Sequence, residues 1–149
     1  DLQGIRGNVP TRLSKLDRGD FTATILAMAG LNRLGIDRQD VFPISVEDMV
    51  PAVGQGALGV QCRALDPVVC PVLAQINDPQ SQVCVEGERA FLAALGGGCN
   101  VPAGCHIVPT DNQFRVRAVV ASGDGRLNRF EAVGGVPVEL GLSAARALQ

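Results

Sequence analysis

Three consecutive glycines, Gly96 to Gly98, followed directly by Cys99, constrain the fold of this chain more than any other feature. A helix-compatible run, 85–95, leads into them, and a β-rich segment follows. Glycine adopts left-handed φ values without steric penalty, so the triplet predicts an abrupt helix end. It also clears side chains from around the thiol, which suits a nucleophile that accepts a bulky, planar covalent partner. The alternative is a helix cap followed by a small, inert cysteine.

Composition sets the broad class of protein. The chain has 149 residues, of which 46% are hydrophobic, and this predicts one ordinary domain or two small ones with a packed core. The formal net charge of −2 gives no reason to expect a nucleic-acid or membrane partner. No apolar run has the length of a membrane span. Because Asp1 stands where an initiator Met would, we expect a piece of a longer protein.

The five cysteines are an odd number, and we expect no secretory leader before them. This pattern predicts free thiols in a reducing compartment, the cytoplasm, or a plastid if the source is a photosynthetic eukaryote. No metal site is expected, because the chain has no CxxC pair and His106 is its only histidine.

The start of the chain predicts a site for an anion. Asn8 is a typical N-cap, Pro10 suits the first turn of a helix, and Arg6 and Arg12 flank this helix start. A helix N-terminus presents unpaired N–H groups, so two guanidinium groups there would complete a carboxylate or phosphate site. The alternative is a solvated basic helix end.

The next apolar run, Thr22 to Ala29, predicts a buried parallel strand. Leu31 to Leu34 then predicts a helix with Arg33 in its first turn. Ligand sites of open α/β sheets lie at the carboxyl ends of strands, so Arg33 would face the same cleft as the first two arginines. A surface position for Arg33 is the alternative.

The glycines of Gly54-x-Gly56-x-x-Gly59 match the dinucleotide-binding fingerprint literally. That fingerprint needs a strand before it and a helix after it, whereas Pro51 precedes these glycines and a strand-like run, 58–62, follows. We therefore reject a dinucleotide site. We predict a hinge-like loop entering a buried strand, with Gln55 available for hydrogen bonding across a cleft.

The remainder predicts a small α+β unit. Asp66-Pro67 opens a helix that runs to about residue 76, and Asp78-Pro79 opens a second helix that runs from about residue 80 to 95. Gly87 lies inside the second helix at a cost of about 1 kcal/mol relative to Ala. Strands are predicted at 105–108, 114–121 and 127–133, with hairpin turns between them and a closing helix at 138–148.

Four stretches in order, together with the glycine–cysteine loop that overlaps the last of them, resemble one family. The loop GGGCNVPAG is similar to the cofactor-attachment loop of the porphobilinogen deaminase, or hydroxymethylbilane synthase, family. The stretches RGNVPTRLSKLDRGDF, ILAMAGLNRLG, PAVGQGALGVQCR and ERAFLAALGGGC carry the likeness along nearly the whole chain.

The resemblance implies a transferase of tetrapyrrole (haem and chlorophyll) biosynthesis. In that family a dipyrromethane cofactor is held by a thioether to the loop cysteine, here Cys99. Four porphobilinogen units are added to it with loss of ammonia, and hydroxymethylbilane is released. The substrate is thus a small polycarboxylate pyrrole, and a monomer is expected. Arg6, Arg12 and Arg33 match cofactor- and substrate-binding arginines, and Asn8, Gln55 and Gly56 are further implied substrate-binding residues.

The resemblance also implies the fold, a partial α/β lobe like those of periplasmic binding proteins followed by a small α+β domain with an antiparallel sheet. Residues 1–50 would be the later part of the second lobe, 51–78 a hinge and return segment to the first lobe, and 79–149 the domain carrying the cofactor cysteine. The family's catalytic aspartate would lie before Asp1, so no catalytic residue is identified and this chain alone is expected to be inactive.

Two other functions stay open on the residues alone. One is a cysteine-dependent hydrolase or acyltransferase that uses Cys99 with His106, although no orienting third group is evident. The other is a non-catalytic anion-binding module in which the cysteines only pack.

Overall fold

The computed structural model describes residues 1–97 and 101–149. The described chain forms two compact units, Asp1–Pro43 and Ile44–Gln149. Its helices and strands, in chain order, are α1 Val9–Asp17, α2 Met28–Arg33, α3 Val69–Ile76, α4 Pro79–Ala94, β1 Ala103–Thr110, β2 Gln113–Ala121, β3 Leu127–Gly134 and α5 Pro137–Leu148. None of the helices in these ranges is long and apolar enough to cross a membrane.

The first unit contains α1 and α2. Asn8 caps α1 as predicted, and Leu13 and Leu31 are its buried apolar side chains. A methyl group placed on Gly30 would lie 3.4 Å from Cγ2 of Val9, so α2 runs close to the start of α1.

The predicted strand over Thr22–Ala29 is wrong. These residues form no β-ladder, the helix α2 begins within the segment at Met28, and the Ile25 side chain is 64% exposed. A strand is held by hydrogen bonds to a neighbouring strand, and no described residue of Asp1–Pro43 supplies one. The earlier helix start also places Arg33 in the last turn of α2, not in its first.

The predicted buried strand over Leu58–Cys62 is also wrong. The segment is irregular, and Leu58 and Val60 are 75% and 62% exposed. An apolar run shows that a segment could be buried in a sheet, but its burial depends on what packs over it.

The second unit contains the α+β architecture that we predicted. Its sheet has the order β1-β2-β3 with antiparallel pairing throughout, and Cys105 lies opposite Ala118, which lies opposite Phe130. α4 and α5 pack together and cover the sheet face that carries these residues. The buried core consists of Cys84, Phe91, Cys105, Ile107, Val116, Ala118, Leu140, Ala144 and Ala145.

The two covering helices approach closely at glycines. A Cβ atom on Gly87 of α4 would collide with the Pro137 carbonyl group and the Ile107 side chain, and one on Gly141 of α5 would collide with the Gly87 carbonyl oxygen. Gly87 weakens α4 as an isolated helix, but its lack of a side chain permits α4 to pack against α5.

Candidate functional site

The start of α1 is a capped helix end with an arginine on each side of the cap in the sequence. The Asn8 side-chain oxygen accepts hydrogen bonds from the Thr11 backbone N–H, at 3.0 Å, and from the Thr11 hydroxyl, at 2.7 Å. Gly7 has φ +122°, and a Cβ atom there would lie 2.8 Å from the Thr11 methyl carbon, so glycine is required before the cap. Arg12 Nε donates to the Gly7 carbonyl oxygen at 2.8 Å, which fixes its guanidinium group beside the same turn.

Arg6 belongs to the same helix end. Its carbonyl oxygen accepts from Lys15 Nζ at 3.1 Å, and its side chain is exposed. The structure therefore places Arg6, Asn8 and Arg12 at the same helix end. Arg33 is exposed at the end of α2, and no described contact joins it to the other two arginines.

Gln55 and Gly56 lie on an exposed turn of the second unit. The Gln55 N–H donates to the Ala52 carbonyl oxygen at 2.9 Å, and the Ala57 N–H donates to that of Gly54 at 3.1 Å. Gly54 and Gly56 have φ values of +69° and +84°, which explains why glycine occupies both positions. The turn is followed by irregular chain and not by a helix, in agreement with our rejection of a dinucleotide site.

Glu88 anchors this turn, a contact that the sequence did not reveal. It is the buried charged residue of the described chain, with only 6% of its surface exposed. One carboxylate oxygen accepts from the Gly54 N–H at 2.7 Å, and the other accepts from the Ile107 N–H at 2.9 Å. The carboxylate thus joins α4, the edge of β1 and the glycine turn.

Burial raises the pKa of the Glu88 carboxyl group above its ordinary value, because the charged form loses contact with water. The two backbone hydrogen bonds oppose this rise, since they stabilise the carboxylate. A signal for the burial of Glu88 was available in the sequence. Its spacing from Cys84 and Phe91 places it on the apolar stripe of α4.

The outer face of the sheet carries balanced charges. Arg117 Nη2 lies 3.0 Å from a Glu47 carboxylate oxygen and 3.3 Å from one of Glu131. Arg129 donates to the carbonyl oxygens of Glu47 and Asp48, at 3.0 and 3.1 Å. These groups border an open depression of about 280 Å³ and hold the segment before Pro51 against the sheet. We regard the ion pairs of Arg117 and the hydrogen bonds of Arg129 as structural.

The cysteines differ in environment. Cys84 and Cys105 are buried, and burial raises the pKa of both thiols, so they are unreactive core residues. Cys99, the predicted attachment residue, lies outside the described residues, between the end of α4 and β1. Gly96 and Gly97 have φ values of +96° and +46°, as expected where glycines end a helix.

The acidic residues near α1 are engaged with arginines. Asp17 and Asp40 both bind Arg38, at 2.8 and 2.7 Å, and this guanidinium group holds the pKa of the Asp40 carboxyl below its ordinary value. Asp20 pairs with Arg18 at 2.8 Å. Asp17 and Asp20 are exposed.

Two family models match the chain. Residues 1–70 match "Porphobilinogen deaminase, dipyromethane cofactor binding domain", and residues 82–149 match "Porphobilinogen deaminase, C-terminal domain". The chain belongs to the porphobilinogen deaminase family. The first match contains the α1 helix end and the glycine turn, and the second contains Glu88 and Cys99. The resemblance found in the sequence motifs is therefore confirmed.

Curated members of the porphobilinogen deaminase family align with nearly the whole chain. The protein of that name from Macrococcus caseolyticus is 39% identical over 152 residues, covering 100% of this chain and 49% of the relative. That from Thiobacillus denitrificans is 42% identical, covering 99% of this chain and 49% of the relative. That from Helicobacter hepaticus is 47% identical over 126 residues, or 84% of this chain and 39% of the relative. The chain thus spans about half the length, or less, of these relatives.

Proposed function

We propose that this chain is the part of a hydroxymethylbilane synthase that holds the dipyrromethane cofactor and binds the carboxylates of the growing pyrrole chain. The observation that carries the proposal is the match of residues 1–70 to the cofactor-binding domain, in which the capped helix end with Arg6 and Arg12 lies. The reaction would join four porphobilinogen units head to tail with loss of ammonia.

The residues of the helix end fit such a ligand chemically. Pyrrole acetate and propionate groups are carboxylates, and guanidinium groups bind carboxylates through paired N–H donors. Arg12 already has Nε occupied by the Gly7 carbonyl oxygen, which leaves its terminal nitrogens for a ligand and orients their plane. The positive end of the α1 dipole adds to the same attraction. Arg6, Asn8 and Arg12 would thus bind and orient carboxylates.

Cys99 would hold the cofactor through a thioether, and the bound cofactor would supply the pyrrole carbon to which the first substrate unit is joined. Thiolate sulfur is a strong nucleophile, and glycines have no side chains that would crowd a planar ligand. Arg33, Gln55 and Gly56 are proposed as further contacts to the cofactor or substrate. The Glu88 carboxylate would keep the turn carrying Gln55 in place.

The finer architecture belongs to this proposal as well. We assign residues 1–50 to the later part of a lobe like those of periplasmic binding proteins, 51–78 to a hinge and return segment, and 79–149 to the domain carrying Cys99. The exposure of apolar side chains in 51–78 supports its assignment as a segment that returns to another lobe. α3 has no buried residue, and the neighbouring Leu65 and Val68 are 94% and 73% exposed. A small polycarboxylate pyrrole would be the substrate of a monomeric enzyme.

The test is the intact mass of the purified whole protein. We expect the wild-type mass to exceed the sequence mass by two pyrrole units, and Cys99→Ser to remove the excess. Cys62→Ser is the matched control, because Cys62 is an exposed thiol that is not part of the glycine–cysteine motif in the sequence, and it should keep the added mass. An unmodified wild-type mass in a preparation that still converts porphobilinogen would refute the attachment.

A further inference from the structure

Two free cysteines outside the proposed site, the exposed Cys62 and the half-buried Cys70, face each other. The sulfur atoms of Cys62 and Cys70 lie 3.8 Å apart, and Cys70 Sγ also approaches the Arg63 carbonyl oxygen at 3.8 Å. Cys62 is on irregular chain, whereas Cys70 is in the first turn of α3. Neither residue is required by the cofactor or substrate chemistry proposed above.

The surroundings allow these sulfur atoms to come closer. A disulfide needs a sulfur–sulfur distance of about 2.05 Å, so the atoms must approach by rotation of their side chains and a small movement of the chain. Cys62 is preceded by exposed, irregular residues, and none of the α3 residues is buried, so little packing opposes such a movement. The described cysteines Cys84 and Cys105 are enclosed in the core instead.

We propose that Cys62 and Cys70 form an intramolecular disulfide when the protein meets a small-molecule disulfide, and so constitute a reversible thiol modification site. The thiolate of one cysteine attacks the oxidant, forms a mixed disulfide and releases one small thiol. The thiolate of the other attacks the protein sulfur of that mixed disulfide and releases the second small thiol. The two protein thiols lose two protons and two electrons, and the oxidant gains them.

The bond would fix a surface loop. It would close the chain between Cys62 and Cys70, which includes Arg63 and its ion-pair partner Asp66, at 3.2 Å. The hydrogen bond with Cys70, together with some loss of hydration, raises the pKa of the Cys62 thiol. Since the thiolate is the reacting form, the rate of bond formation should increase with pH.

The experiment is a peptide map of the protein after treatment with oxidised glutathione. Free thiols are alkylated, and the protein is cut with trypsin after arginine and with Asp-N before aspartate. This separates peptides 48–63, 66–77 and 78–89, which carry Cys62, Cys70 and Cys84 respectively. We expect peptides 48–63 and 66–77 to be linked, with the intact mass lowered by two hydrogen atoms. Dithiothreitol should release the link.

Cys62→Ser and Cys70→Ser are the matched variants, and each should abolish the link and leave the remaining thiol as a mixed disulfide with glutathione. In concentrated guanidinium chloride we expect Cys62 to be linked to several cysteines, because the selection of Cys70 depends on the fold. The proposal is overturned if both cysteines of the native protein end as separate mixed disulfides. It is also overturned if Cys62 is linked to Cys84 or Cys105 as often as to Cys70.

Discussion

Replacing Glu88 by glutamine tests the contact that connects the glycine turn to the sheet. The glutamate accepts backbone hydrogen bonds with both oxygens, from Gly54 and from Ile107. Glutamine has nearly the same shape but only one acceptor oxygen, and its NH₂ group would face the second backbone donor. One buried N–H is therefore left without an acceptor. Such a loss costs about 1–3 kcal/mol of the free energy of unfolding.

The pH dependence of this loss has a defined sign. The pKa of Glu88 in the folded protein is raised above its ordinary value of 4.5. Below 4.5 both the folded and the unfolded protein hold the proton, and the free energy of unfolding is highest with respect to this group. As the pH rises from 4.5 through the folded-state pKa, the unfolded chain ionises first, and the wild-type protein loses about 1.4 kcal/mol per unit of difference in pKa. Because glutamine does not titrate, the deficit of Glu88→Gln should be larger at acid than at neutral pH.

The assay is unfolding by urea at several pH values between 4.5 and 8, for the wild-type and variant proteins side by side. Other carboxyl groups titrate equally in both proteins and cancel in the difference. Glu86→Gln is the matched control, because Glu86 is on the same helix, is exposed and, among residues 1–97 and 101–149, accepts only from the Gln82 side chain. It should change the free energy of unfolding by less than about 0.5 kcal/mol. Equal stability of Glu88→Gln and wild type, or a deficit that grows toward neutral pH, would refute the reasoning.

Three further outcomes are expected. Gly87→Ala should lower the free energy of unfolding by about 1–3 kcal/mol, although alanine has the better helix propensity, because its methyl group would collide with the Pro137 carbonyl group. Gly123→Ala is the control for the same urea titration and should be nearly neutral, because the space around Gly123 is open. In the whole protein, Arg12→Leu should impair cofactor assembly or chain elongation. Arg12→Lys should have a rate between those of Arg12→Leu and the wild type in a porphobilinogen assay, because an ammonium group lacks the planar fork of a guanidinium. Wild-type rates in both variants would show that Arg12 is only a surface residue. The chain alone should form no uroporphyrin when it is incubated with porphobilinogen and the mixture is oxidised in acid. Addition of the first half of the Thiobacillus denitrificans relative should restore some product. Product from the chain alone would mean that the catalytic acid lies within these 149 residues.

The elements that sequence predicted correctly are those whose signals are local. Asn8 and Asp78 each accept from a backbone N–H three residues ahead, so the starts of α1 and α4 depend only on neighbouring residues. The strands β1 to β3 are connected by tight turns and pair with sequence neighbours, which makes their alternation easy to interpret. Thr22–Ala29 failed because a strand needs a partner that the segment itself cannot provide.

The candidate site was predictable to the same extent. The helix end with Arg6, Asn8 and Arg12 follows from a cap and two nearby charges, and the structure brings these residues together. The hydrogen-bond partners of Glu88, Gly54 and Ile107, are 34 and 19 residues away in the sequence, and no local pattern identifies them. The close approach of Gly87 to α5 is equally remote in sequence, and for this reason it was interpreted only as a weakness of the helix.

The Glu88 carboxylate also bears on how the two family matches fit together. Gly54 lies in the match to the cofactor-binding domain, whereas Glu88 and Ile107 lie in the match to the C-terminal domain. All three belong to one compact unit, Ile44–Gln149, so the last part of the first match folds with the second. The Pro51 carbonyl oxygen accepts from the Cys105 N–H at 3.0 Å, which extends the same attachment along the edge of β1. The glycine turn is thus held by residues of the C-terminal match, and a change at Glu88 should disturb this turn directly.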